Sequence, residues 1–249
     1  MLGDYLFKAS NLSVLFFGAL SLLSHGKTLS LSAEAAYAWT AYNYFQIPGN
    51  ISGSRVDLEK GKAIPAYRIY ADLELSENWS LRLLYAPLTA KYKTTPSTAI
   101  SFDGENFGAN DPLAITYKFN SYRASIIRKW GASNETQWRV GFTTKVRDAY
   151  INMSNSQKSN RYSNIGFVPL LFLGVWTPLN ENFALSADID GLAGGPGRAF
   201  DGRFQSEYKI SDLHQISLGY RFLEGGVKNN KVNNFALFHF LYAGYTASF

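Results

Sequence analysis

From Leu29 onward, apolar residues return at every second position, and no other feature restricts the fold of this chain as strongly. Leu29, Leu31, Ala33, Ala35, Tyr37, Trp39 and Ala41 fall on one side of an extended chain, with Ser30, Ser32, Glu34 and Thr40 on the other. Successive side chains of a strand point to opposite faces, so such a pattern describes strands and not helices. It recurs in Tyr67, Ile69, Ala71, Leu73 and Leu75 against Arg68, Asp72 and Glu74. Trp138, Val140, Phe142, Thr144 and Val146 alternate with Arg139, Gly141, Thr143, Lys145 and Arg147. Phe183 to Ile189 and Ile216 to Phe222 repeat it around Asp188, Asp190 and Arg221. An all-β fold follows. A sandwich and a barrel share this period, so alternation alone does not separate them.

Composition and connection lengths do. Charged residues make up 17% of the 249 residues, against about 25% in globular chains. Aromatic residues reach 16%, yet the mean hydropathy of −0.13 excludes a bundle of transmembrane helices. A membrane barrel reconciles the two, because half of its strand residues face lipid and half a polar lumen. Short connections at 76–78, 131–135, 178–182 and 211–214 alternate with longer or glycine-rich ones at 46–65, 94–112, 152–161, 192–197 and 225–231. Trp79, Trp130, Trp138 and Trp176 all flank the short turns, where an aromatic girdle marks a membrane edge. The expected architecture is a transmembrane antiparallel up-and-down β-barrel of about ten strands, with 8 or 12 as alternatives and both termini at the short-turn rim. Three details accompany it. A change of apolar face at 120–121 predicts a bulge, Pro169 predicts a bulge or an unpaired position, and 193–197 is either a hairpin loop or a kink.

The first residues read as an export signal. Lys8 precedes the apolar run LSVLFFGALSLL at 12–23, shorter than the roughly 20 residues a spanning helix needs. Ser24 and Gly26 follow at the −3 and −1 spacing for cleavage, while Asp4 departs from a positive leader. The expected division is a signal peptide at 1–26 and a barrel domain at 27–249. Cysteine is absent, which excludes disulfides, thiolate metal sites and a lipoprotein anchor. The net charge of +5 is spread singly, without a Lys/Arg run, so no nucleic-acid partner is expected. His25, His214 and His239 lack zinc-ligand spacing. No metal and no cofactor is expected.

The last strand carries the most specific signal. Leu241, Ala243, Tyr245, Ala247 and Phe249 alternate up to the final residue. This ending resembles the signal by which bacterial outer-membrane proteins are recognised for barrel assembly. With YKFNSYRAS, GFTTKVRDAYI, DIDGLAGGPGRAFD and GYRFLEGG, the chain resembles small Gram-negative outer-membrane barrels. The resemblance implies an outer-membrane location, contact with outer-membrane lipid and lipopolysaccharide, the barrel assembly machinery as partner, and a monomer. It carries no activity with it.

The inward positions hold charges of both signs: Glu34, Arg68, Asp72, Glu74, Arg82, Lys118, Arg123, Arg139, Lys145, Arg147, Asp188, Asp190, Asp201, Arg203, Glu207 and Arg221. A barrel of this size has an interior that side chains largely fill, and charges there must pair. The expected role is structural or surface-interacting, with a salt-bridged and largely closed lumen. The alternatives are a narrow channel or small-ligand transporter, and a lipid-modifying hydrolase. Signals for catalysis are fragmentary. The segment at 161–166, Arg-Tyr-Ser-Asn-Ile-Gly, resembles the His-Tyr-Ser-Asn segment of lipid A deacylase barrels, but Arg161 replaces the general base that Ser163 needs. Asp188 and Asp190 resemble the acidic pairs of omptin-type proteases. His239 falls on the lipid-facing parity, where a phospholipase barrel carries its Ser–His pair, but no serine can be assigned to it. No catalytic residue is assigned. Asp103, Glu105, Asn106, Asn110 and Asp111 lack EF-hand spacing and read as a solvated loop.

Overall fold

The computed structural model describes residues 28–59, 63–132 and 134–249; the signal segment expected at 1–26 lies outside them. The strands are β1 (Leu29–Gln46), β2 (Arg55–Asp57), β3 (Ala63–Ser76), β4 (Trp79–Ala86), β5 (Thr89–Thr94), β6 (Ile100–Phe102) and β7 (Glu105–Phe107). They continue as β8 (Leu113–Trp130), β9 (Gln137–Ser154), β10 (Ser159–Pro178), β11 (Phe183–Gly194), β12 (Gly197–Lys209), β13 (His214–Lys228) and β14 (Asn233–Ser248). β4 and β5 form one stave, because both pair with β8 in a single register. The interruption falls at Pro87, which has no N–H to give, and the Phe119 N–H reaches the Leu88 carbonyl at 2.8 Å across it. Counted this way, the chain closes a ten-stave antiparallel barrel through β14 and β1. The closing pair ends on Leu29 and Phe249, which exchange both backbone hydrogen bonds at 3.1 and 2.9 Å. Closure leaves no open seam between first and last strands, as lipid requires.

One expected bulge is absent, and two unexpected register shifts are present. β8 and β9 pair without a slip from Ala114↔Ser154 to Trp130↔Trp138, so there is no bulge at 120–121. The interior itself changes character there. Inward-facing Leu113, Ile115, Tyr117 and Phe119 give way to Ser121, Arg123 and Ser125, and the change of polarity imitates a change of face. Pro169 keeps register with Thr144 of β9 but lies above the uppermost β10–β11 pair, Leu171↔Gly191, so it takes the unpaired position expected of it. Register shifts lie instead between Thr40 and Tyr42 of β1, where the apparent alternation hides one, and between Glu74 and Ser76 of β3, next to the short turn. Residues 194–197 form a true hairpin, with Gly194 opposite Gly197 and Gly195 at φ +55°, a left-handed conformation that glycine adopts without strain.

Parts of the first two long connections fold inward. Phe45 and Ile47 at the end of β1, Val56 and Leu58 around β2, and Phe102 and Phe107 of the β6–β7 hairpin are buried in one apolar cluster with Leu113, Ile115, Met153 and Phe238. The interior is therefore polar at mid-height and apolar towards the loop end, where the connections fold down on it.

Candidate functional site: a bolted lumen and a cavity above it

At mid-height the inward charges form one network. Asp201 on β12 is 3% exposed and accepts Arg68 Nη1 at 2.9 Å, Arg123 Nη2 at 2.5 Å and Arg221 Nη1 at 2.8 Å. Those arginines stand on β3, β8 and β13, so one carboxylate ties four staves across the lumen. Arg123 also donates to Asp190 at 2.9 Å, and Arg221 to Glu34 at 3.0 Å and to the Tyr70 hydroxyl at 2.7 Å. Arg203 links Asp188 at 2.7 Å to Glu34 at 3.4 Å. Arg82 joins Asp72 at 2.7 Å and Asp188 at 3.8 Å. Such charge-assisted forks offset the desolvation of ions that would be costly if left alone. Nearer the short turns, Lys129 pairs with Glu74, and Glu207 accepts Ser186 Oγ and Gln205 Nε2, both at 2.6 Å.

Lys118 departs from the expected interior set. Without a bulge at 120–121 it keeps the parity of Ala114 and Tyr122, points outward, and pairs with Asp148 at 2.5 Å. Trp176 departs from the expected girdle. It shares the inward parity of Phe172 and Gly174, and its indole N–H donates to Glu207 at 3.0 Å. Trp79, Trp130 and Trp138 do face outward, the last two opposite each other, with Arg128 over the rings of Trp79 and Trp130 at 5.6 and 5.2 Å. Trp176→Phe should therefore behave as a core substitution. Leaving a buried carboxylate short of one donor should lower stability by about 1–3 kcal/mol, read from urea unfolding in micelles. A change below about 0.5 kcal/mol would return Trp176 to the surface class of substitutions.

The catalytic candidates are dispersed. Arg161 lies over the Tyr150 ring at 4.4 Å and Ser163 faces outward. Asp188 and Asp190 are engaged by Arg203 and Arg123. His239 lies outward between Trp39 and Tyr220, with ring centroids at 5.6 and 5.8 Å, and the Tyr220 hydroxyl meets its Nδ1. Glu105 of the β6–β7 hairpin pairs with Lys158 at 3.0 Å. Tyr245 and Ala247 face outward on β14, opposite Ala33 and Leu31.

One feature escaped the reading of the sequence. Above the charged layer lies a cavity of about 550 Å³. Tyr117, Phe119, Ile151, Tyr162, Leu223 and Phe238 give it an apolar wall, and Lys145 and Arg147 enter from β9. The inward run Leu113, Ile115, Tyr117, Phe119 was its visible trace. Arg139, Lys145 and Arg147 have no ion-pair partner among the described residues, whereas Arg68, Arg82, Arg123, Arg203 and Arg221 all do.

No family model matches the chain, and no curated protein matches it in sequence. Among solved structures, the outer-membrane protease OmpT from Escherichia coli aligns with a TM-score of 0.53 at 10% identity, covering 90% of this chain and 96% of that one. Ail, the attachment invasion locus protein of Yersinia pestis, aligns at 0.42 and 11% identity, covering 88% and 98%. Neisserial surface protein A aligns at 0.36 and 15%, covering 89% and 97%. At 10% identity the likeness to the protease is one of fold alone.

Proposed function

This chain has the fold of small Gram-negative outer-membrane β-barrels, and from that premise we propose a non-conducting barrel of the outer membrane that works at its loop end. The observation that carries the proposal is the network centred on Asp201, which fills the lumen at mid-height with paired ions. A conduit needs a continuous wet path, and this layer replaces it with interlocked side chains from β1, β3, β4, β8, β11, β12 and β13. The membrane seat follows from the outer surface. Tyr37, Ile69, Phe142, Leu173, Phe204, Leu218 and Leu241 are exposed apolar residues spread around the circumference. Trp79, Trp130 and Trp138 bound that band near the short turns, at the level proposed for the periplasmic headgroups. Charged outward pairs, Lys118–Asp148 and Arg198–Glu224, begin beyond its other edge. Lipid and lipopolysaccharide are the proposed neighbours, and the role is structural or surface-interacting, with the loop end as the working face.

Planar bilayers test the closed lumen. The refolded full chain is expected to give no steady single-channel steps. Reproducible steps of one size from the purified protein would overturn the reading.

A further inference from the structure

The barrel wall is incomplete on one side of the cavity. β10 pairs with β9 from Ser159 to Trp176, but its uppermost pair with β11 is Leu171↔Gly191. Residues 159–170 have no described strand on their other side. The β11–β12 hairpin stops short at Gly194 and Gly197, leaving a side opening above it. Val168 and Pro169 form one rim, Leu192, Gly194 and Pro196 the other, and all of them line the cavity. The opening begins at the level of the apolar band. Phe167, opposite Val146, is 65% exposed. A water pore has no need of an apolar side door, whereas a membrane-borne ligand does.

Behind the lower rim stands Lys145, opposite Val168 and buried to 2% exposure. Its Nζ lies 4.7 Å from the centre of the Phe119 ring, and Asp201 attracts it without forming an ion pair. Arg147, the next inward residue, touches the Asn164 side chain and leaves its Nε buried without a partner. Two neighbouring basic side chains without a carboxylate at ion-pair distance among the described residues offer an acidic headgroup its counter-charge. The remaining wall requires a chain of carbon, and about 550 Å³ falls in the roughly 300–1,000 Å³ range that holds one small molecule. We propose that the cavity binds a single-chain anionic amphiphile, its acidic head against Lys145 and Arg147 and its chain on the apolar wall, entering sideways between β10 and the β11–β12 hairpin. The inference rests on the closed-lumen reading, since a conducting pore would hydrate Lys145.

The test uses the full chain refolded in a neutral maltoside detergent and titrated calorimetrically with dodecyl phosphate. One saturable site is expected, with inorganic phosphate and dodecanol each at least tenfold weaker. Lys145→Met should weaken dodecyl phosphate at least tenfold, in line with the loss of a hydrogen bond to a charged group. If that variant fails to show the heat-modifiable folded band, Arg147→Gln is read by the same criterion. Gly194→Trp tests the door without touching either cation. A side chain there meets no atom within 4 Å, so the indole should block entry and abolish binding. Absent saturation, unchanged affinity in the cation variant, inorganic phosphate binding as tightly as dodecyl phosphate, or normal binding by Gly194→Trp would each overturn the proposal. Bilayer conductance is read separately, so a silent barrel that binds nothing refutes this inference and leaves the closed lumen standing.

Discussion

Asp201→Ala should be the most damaging single substitution in the lumen, lowering stability by at least about 3–5 kcal/mol and turning a silent barrel into a leaky one. The figure is that for removing one partner of a buried ion pair; here one carboxylate serves three guanidiniums, at 2.5 to 2.9 Å. Arg123 retains Asp190 and Arg221 retains Glu34. Arg68 has no second carboxylate among the described residues and is left as an uncompensated buried cation. Mutual repulsion of the three should admit water, which supplies the conductance. Asp201→Asn keeps the size and one acceptor but loses the charge, and should fall between wild type and alanine. Urea unfolding in lipid vesicles and planar-bilayer recording check the two effects. An alanine variant with an unfolding midpoint at the wild-type value and no current would mean that the network is an accessory and that loop packing alone closes the barrel.

The residues of this network were legible in the sequence one at a time, but their meeting was not. Arg68, Arg123, Asp201 and Arg221 each sit on the inward parity of an alternating run, and period 2 fixes that parity from local sequence alone. Their convergence depends on register, barrel tilt and closure, which join staves separated by as many as 153 positions, Arg68 to Arg221. The same locality explains the errors. Lys118 reads as inward because a change in polarity along β8 imitates a change of face. Trp176 reads as a girdle residue because it neighbours a short turn, although parity with Phe172 sends it into the lumen. Ala41 continued the alternation in letters while the backbone bulged beneath it. Phe102 and Phe107 lie in a connection too irregular for any period to place, and only the folded barrel supplies the apolar surface that buries them. The cavity follows from the same limit. It exists because a hairpin ends early, and the sequence did not show which neighbouring stave would be left taller.

Phe249→Ala should harm delivery of the barrel far more than the barrel itself. Phe249 is 64% exposed and contributes to closure mainly through its backbone, exchanging hydrogen bonds with Leu29 that alanine retains. Truncating a large side chain in a packed core costs about 3–5 kcal/mol. At an exposed rim, where lipid or detergent fills the gap, the loss should be well below that. Tyr245, Ala247 and Phe249 nevertheless form the outward face of the strand that must be recognised and paired last, so a several-fold loss of membrane-inserted protein in cells is expected. The comparison is the amount of heat-modifiable barrel in envelopes against the urea midpoint of the same variant refolded in micelles. An outward residue of another strand serves as control: Leu218→Ala removes exposed apolar surface from β13 without touching the terminal strand, and should leave insertion in cells near normal. Equal losses for Phe249→Ala in cells and in micelles would show that the residue acts through stability, and the carboxy-terminal alternation would then be part of the wall and not an address.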